Sequence, residues 1–197
     1  MSTLTLRGME VVPLTSPGSL TRWTAPAGPW TEPDLHLFPQ DGHRYEIVDG
    51  CLHVTPPLDG PHESIVRALV TTLRGVAPEG WWVCARLGIE CNGSYLIPDV
   101  TVLRPESSGA IWCDPADVAL IVEVESPESR RYDRLLKPAL YADAGIPAYW
   151  RVEPGPTLNV YGPATGDTYT HHRTIKPPDL VQLDVPFPVR VAPSTWL

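Results

Sequence analysis

Two apolar runs, Val100-Thr101-Val102-Leu103 and Val118-Ala119-Leu120-Ile121-Val122, are interrupted at one end by an acid, Asp99 before the first and Glu123 after the second. Their β-branched composition fits buried strands. A buried strand carries an ionised carboxylate only when that charge is paired or holds a metal. Glu125 repeats the fault one pleat on, and side chains two apart on a strand share a face. Two like charges about 5 Å apart repel by roughly 3 kcal/mol at an effective dielectric near 20. A hard divalent cation reverses that sign, because carboxylate oxygen and water are its preferred ligands. Asp99, Glu123 and Glu125 are therefore the candidate metal ligands. The bland alternative puts Asp99 at a solvated strand edge and Glu125 at the start of a loop. It is the better reading of either residue alone, and the metal site is the better reading of the set.

The other elements give these strands a setting. Tyr45-Glu46-Ile47-Val48 and Cys51-Leu52-His53-Val54 flank Asp49-Gly50, a hairpin signal. Across His62–Val76 the apolar residues Ile65, Val66, Leu69, Val70, Leu73 and Val76 recur at helical spacing. Trp81–Cys91 and Tyr95–Leu103 form a second hairpin about Asn92-Gly93; a two-residue turn pairs Cys91 with Ser94 and sets Asp99 opposite Arg86. Residues 104–117 read as a loop, and Val118–Glu125 as the central strand. A second helix is expected from Arg131 to Ala144, kinked by Pro138. Further strands are expected at Ala148–Glu153, Thr157–Tyr161, Thr168–His172 and Leu180–Val191. This order predicts a mixed α/β domain over 34–197 behind an irregular arm of residues 1–33, with a short helix near Glu32–Phe38 capped by Thr31.

A net charge of −8 argues against a protein that coats nucleic acid indiscriminately. The local exception is Arg130, Arg131 and Arg134, a candidate contact for a phosphate backbone as well as an ordinary solvated helix face. Four cysteines without C-x-x-C spacing suit free thiols in a reducing compartment. With no apolar run long enough to cross a bilayer and no signal-like start, the chain is expected to be soluble and cytoplasmic. Asp133, Lys137 and Tyr141 share one helix face. Lys137 is then either a surface ion-pair partner or a cation leaning into the acids, where it would position water or offset charge on a phosphate.

An ordered set of motifs resembles the Uma-two family of endonucleases, a branch of the PD-(D/E)XK nuclease superfamily. It comprises Tyr45–Gly50, His62 opening a helix, Ile97-Pro98-Asp99-Val100, Val122-Glu123-Val124, Ser126-Pro127, Asp133…Lys137…Tyr141 and Ala144-Gly145-Ile146-Pro147…Tyr149-Trp150. The resemblance spans roughly residues 34–191. It implies a restriction-endonuclease-like α/β fold, a mixed central sheet flanked by helices with additional N-terminal and C-terminal β-hairpins. It also implies Mg²⁺, or Mn²⁺, on Asp99 and Glu123, with Glu46 as an upstream acid. Glu125 stands where the superfamily usually has its lysine; the family's lysine lies on the following helix, where Lys137 fits. The implied activity is phosphodiester hydrolysis with DNA as substrate, and a second copy of the chain is an optional partner. The alternatives are an inactive nuclease-fold binding or regulatory protein, favoured by the acidic charge and Glu125, and a hydrolase of small phosphoesters.

Overall fold

The structure is a computed structural model that describes residues 10–11, 23–107 and 109–197. Most of the expected arm lies outside those residues. What is described of it is a pair of two-residue strands, β1 (Glu10–Val11) and β2 (Trp23–Thr24), rather than irregular chain throughout. Next comes the short helix α1 (Glu32–Leu35), where Thr31 donates N–H and Oγ1–H to Asp34, each at 2.8 Å.

β3 (Arg44–Val48) and β4 (Cys51–Thr55) form the expected hairpin. Asp49 and Gly50 both have positive φ, 48° and 70°, as a tight turn matched to strand twist requires. The helix α2 (Gly60–Arg74) starts two residues earlier than its apolar pattern, because the Asp59 carboxylate accepts the His62 N–H and caps it. The second hairpin has the predicted register, with Cys91 opposite Ser94 and the Arg86 N–H donated to the Asp99 carbonyl at 3.2 Å. It does not stay in one sheet. At Arg86 φ is 53°, and the two long arms divide into β5 (Trp82–Ala85) with β8 (Val100–Leu103) and β6 (Gly88–Cys91) with β7 (Ser94–Leu96). The expected loop after β8 contains β9 (Trp112–Cys113), parallel to β6, and a 3₁₀ turn at Pro115–Asp117.

β10 (Val118–Val124) is buried along its whole length. It pairs antiparallel with β8 and parallel with β11 (Tyr149–Glu153). β12 (Thr157–Thr165) and β13 (Thr168–Ile175) continue the sheet, giving the order β13-β12-β11-β10-β8-β5. A second sheet has the order β4-β3-β7-β6-β9. The last expected strand is a hairpin, β14 (Val181–Leu183) with β15 (Val189–Val191), since Pro186 and Pro188 interrupt it. Helix α3 (Lys137–Asp143) is preceded by a wider π turn at Tyr132–Leu136.

Alternation along β10 divides the core. Leu120, Val122 and Val124 face α2 and β15, through Ile65, Leu69 and Val191. Ile121 faces α3 and the second sheet, with Tyr141, Tyr149, Ile89 and Leu96. Glu123 shares the Ile121 face and so points into this second layer. Trp30, Phe38, Ile47 and Leu52 form a smaller cluster, with Leu35 and Tyr95 packed against it.

Gly88 sits where the two sheets separate. A Cβ there would lie 2.5 Å from Trp112 Cε3 and 2.8 Å from the Ile111 carbonyl. Gly88→Ala is expected to destabilise the fold by about 1–3 kcal/mol, the usual cost of overpacking, seen as a lower urea midpoint with unchanged slope.

Candidate functional site

The β8–β10 register pairs Val100 with Val122, and one step further brings Asp99 beside Glu123 on the same sheet face. Both are about 1% exposed. Asp99 is tied from several elements. Its Oδ2 accepts the Val124 N–H at 2.8 Å and lies 3.2 Å from His62 Nε2 on α2. Its Oδ1 lies 3.1 Å from Arg44 Nη2 on β3, outside hydrogen-bond geometry. Burial alone would raise the Asp99 pKa, but Arg44, His62 and the Val124 N–H outweigh it and hold the carboxyl well below the usual range.

Glu123 Oε1 accepts from Lys137 Nζ at 2.9 Å and from the Tyr141 hydroxyl at 2.8 Å. Lys137 Nζ also lies 3.2 Å from Glu46 Oε1 and 3.9 Å from Asp133 Oδ1. Glu46 is held in place by the Ile97 N–H at 2.7 Å. The lysine thus leans into the acids and is not a surface partner. Burial acts to lower its pKa, but Glu123, Glu46 and Asp133 overcome that and keep the ammonium charged. Burial raises the Glu123 carboxyl, Lys137 opposes, and repulsion from Asp99 adds to the rise. Asp133 is raised further, by burial first and then by Glu123.

The helix geometry that delivers Lys137 follows from Pro138. A proline has no N–H to give and its ring crowds the carbonyl four residues back. The preceding turn widens, and the Lys137 N–H reaches back five residues to the Tyr132 carbonyl. Before it, Ser126 and Ser129 close a turn reciprocally, each hydroxyl accepting the other's N–H, at 3.0 and 3.1 Å.

Glu125 does not join Asp99 and Glu123. Its carboxylate is gripped by Arg134, with Nε at 2.6 Å from Oε1 and Nη2 at 2.9 Å from Oε2. Arg151 Nε lies 2.9 Å from Oε1, and Arg130 Nε 3.5 Å from Oε2. The expected trio of phosphate contacts is split by the same fact. Arg130 and Arg134 turn toward Glu125, and Arg131 remains exposed. Reasoning from the sequence missed Arg44 and underweighted His62 and Asp133. Arg44 was in reach, since strand alternation puts it on the same face as Glu46.

As a cation site the donors suit a hard divalent ion, being carboxylate oxygens. Counting the ionised forms, Glu46, Asp99, Glu123 and Asp133 face Arg44 and Lys137, an excess of two negative charges among these six groups. Asp133 Oδ1 is buried without a hydrogen-bond partner. Among the described residues no three acidic, His or Cys side chains are gathered as a ready-made cage. Mg²⁺ seldom needs one, because it is usually held by one or two carboxylates with water and substrate phosphate.

Comparison with known proteins gives this geometry a context. The model of the Uma2 family, described as "Putative restriction endonuclease", matches residues 32–193. Among solved structures, the fold is similar to that of a protein from Anabaena variabilis ATCC 29413 described as a "putative nuclease belonging to DUF820". The two share 18% identity over 85% of this chain and 97% of that one, with a TM-score of 0.61. No curated protein matches the chain.

The acid cluster has opposing effects on stability in EDTA. Asp99, with a lowered folded pKa, stabilises the fold above the ordinary carboxylate range near 4 and loses that contribution on acidification. Glu123 and Asp133, with raised folded pKa values, favour the fold at low pH and lose that contribution as pH rises through their folded values. Asp99→Asn leaves Arg44 buried without its charge partner and is expected to cost about 3–5 kcal/mol at pH 7. Asp133→Asn is expected to raise the urea midpoint at pH 8 relative to pH 5 when compared with the unaltered chain.

Proposed function

The chain belongs to the Uma2 family, and from that premise we propose that it is a divalent-metal-dependent nuclease that hydrolyses phosphodiester bonds in DNA. The observation that carries the reading is Asp99 and Glu123 side by side on adjacent buried strands, with the Lys137 ammonium on Glu123. Asp99 and Glu123 would hold Mg²⁺ or Mn²⁺, without Glu125. Bound there, the ion lowers the pKa of a coordinated water and offsets charge on the phosphate.

The chain's own groups do the positioning. The Val124 N–H and Arg44 fix the orientation of Asp99. Tyr141 and Lys137 converge on one oxygen of Glu123 and so set its rotamer. Glu46, anchored by the Ile97 N–H, holds Lys137 on the other side. Lys137 remains cationic and is suited to hold the attacking water or to offset charge that develops on the phosphate oxygens.

Supercoiled plasmid incubated with the protein and Mg²⁺ or Mn²⁺ is expected to be nicked or linearised, and EDTA to abolish this. Asp99→Ala and Glu123→Ala should remove activity, and Lys137→Ala should lower the rate by about 100-fold or more. Undiminished cleavage by Glu123→Ala, or no cleavage with either metal, contradicts the reading.

A further inference from the structure

Among the described residues, the clefts near the buried acids differ in charge. One borders Arg44 and contains His36, His43 and Arg86. Each of those three side chains already faces its own carboxylate: Glu32, Asp41 and Glu63 respectively. A second borders His62 and is lined by Asp59, Glu125, Glu128 and Glu153, with no arginine or lysine among its described lining residues. The third, about 490 Å³, lies between β4 and the π turn and is lined by His53, Arg131, Tyr132, Leu135 and Leu136. No acid lines it. Among the described residues Arg131 has no carboxylate at ion-pair distance, unlike its neighbours Arg130 and Arg134.

The walls of this cleft combine aromatic rings, apolar side chains and one arginine. Tyr132, half-buried, meets the His53 ring edge-on, with centroids 4.8 Å apart at 84°. Leu135 is 69% exposed beside them and offers apolar surface to a ligand in the cleft. His53 stands opposite Glu46 in the β3–β4 register, and Glu46 touches Lys137. The cleft therefore adjoins the acid cluster through one cross-strand pair. Aromatic faces accept a base only when it is not stacked within a duplex, and such stacking tolerates any sequence.

We propose that this cleft binds an unpaired nucleotide of the DNA substrate, its base against Tyr132 and Leu135 and its phosphate on Arg131. The assignment rests on the nuclease reading for the identity of the ligand, and it makes single-stranded DNA, or DNA with a displaced base, the preferred substrate. The single arginine would explain how a chain of net charge −8 engages DNA at one place without coating it.

The test is fluorescence anisotropy with a labelled oligodeoxythymidylate and a duplex of the same length, in EDTA at low salt, so that cleavage plays no part. The unaltered protein is expected to bind the single strand more tightly than the duplex. Tyr132→Leu should weaken single-strand binding by about five- to hundredfold, the range for loss of one stacked base, and Tyr132→Phe should restore it. Arg131→Gln should weaken binding and flatten its salt dependence, and Arg173→Gln, on the far edge strand, should do neither. Thermal melts of the variants separate lost binding from lost fold. No single-strand binding by the unaltered protein, or equal binding by Tyr132→Leu, overturns the subsite. Tyr132-dependent binding without metal-dependent cleavage counts against the reaction and leaves the subsite standing.

Discussion

The carboxylate of Asp99 is where the separate parts of this molecule meet. It sits just before β8, accepts a backbone N–H from β10, and lies against His62 of α2 and Arg44 of β3. Those four elements come from both sheets and from the helix on the opposite side of the central one. A single buried charge therefore fixes the second sheet and α2 against the central strand. Apolar packing on either face of β10 supplies most of the burial, but it does not specify this alignment. The cost of an unpaired buried charge does.

The second half of the site is set by a backbone irregularity. Pro138 prevents a regular helix from running through Lys137, and the widened turn before it brings Asp133 and Lys137 inward while Arg134 reaches out to Glu125. The result is a division of charge along the chain. Glu123 receives the lysine, and Glu125, two residues on, receives the arginines. Arg151 and Arg134 also lie 3.0 and 3.3 Å from Glu153, so that this second cluster is largely self-contained. On the acid-poor side of the π turn, Arg131 has no carboxylate at ion-pair distance among the described residues.

Much of this was legible in the sequence where the information was local. Asp49-Gly50 and Asn92-Gly93 gave the two turns, and the count outward from Cys91 and Ser94 placed Asp99 opposite Arg86, as the backbone bond between them shows. Acids interrupting apolar strands marked Asp99 and Glu123. Several of the failures concern partners distant in sequence, which leave no local trace. Alternation grouped Glu125 with Glu123 but could not reveal that three arginines would claim it. Asp99 was aligned with Arg86 along the backbone, whereas its charge partner is Arg44 and Arg86 pairs with Glu63. The positive φ at Arg86 that divides the hairpin between two sheets sits on a residue with no intrinsic preference for it. Pro138 did announce a defect, though not that the turn before it would widen.

The proposed role of Asp99 and Glu123 is to hold one divalent cation between them. A crystal grown in Mn²⁺ and measured for anomalous scattering tests that directly. One anomalous peak bonded to both carboxylates, with Lys137 nearby and Glu125 still on Arg134, is the result predicted. A peak on Glu125, or none near Asp99 with Lys137 unmoved on Glu123, would contradict it.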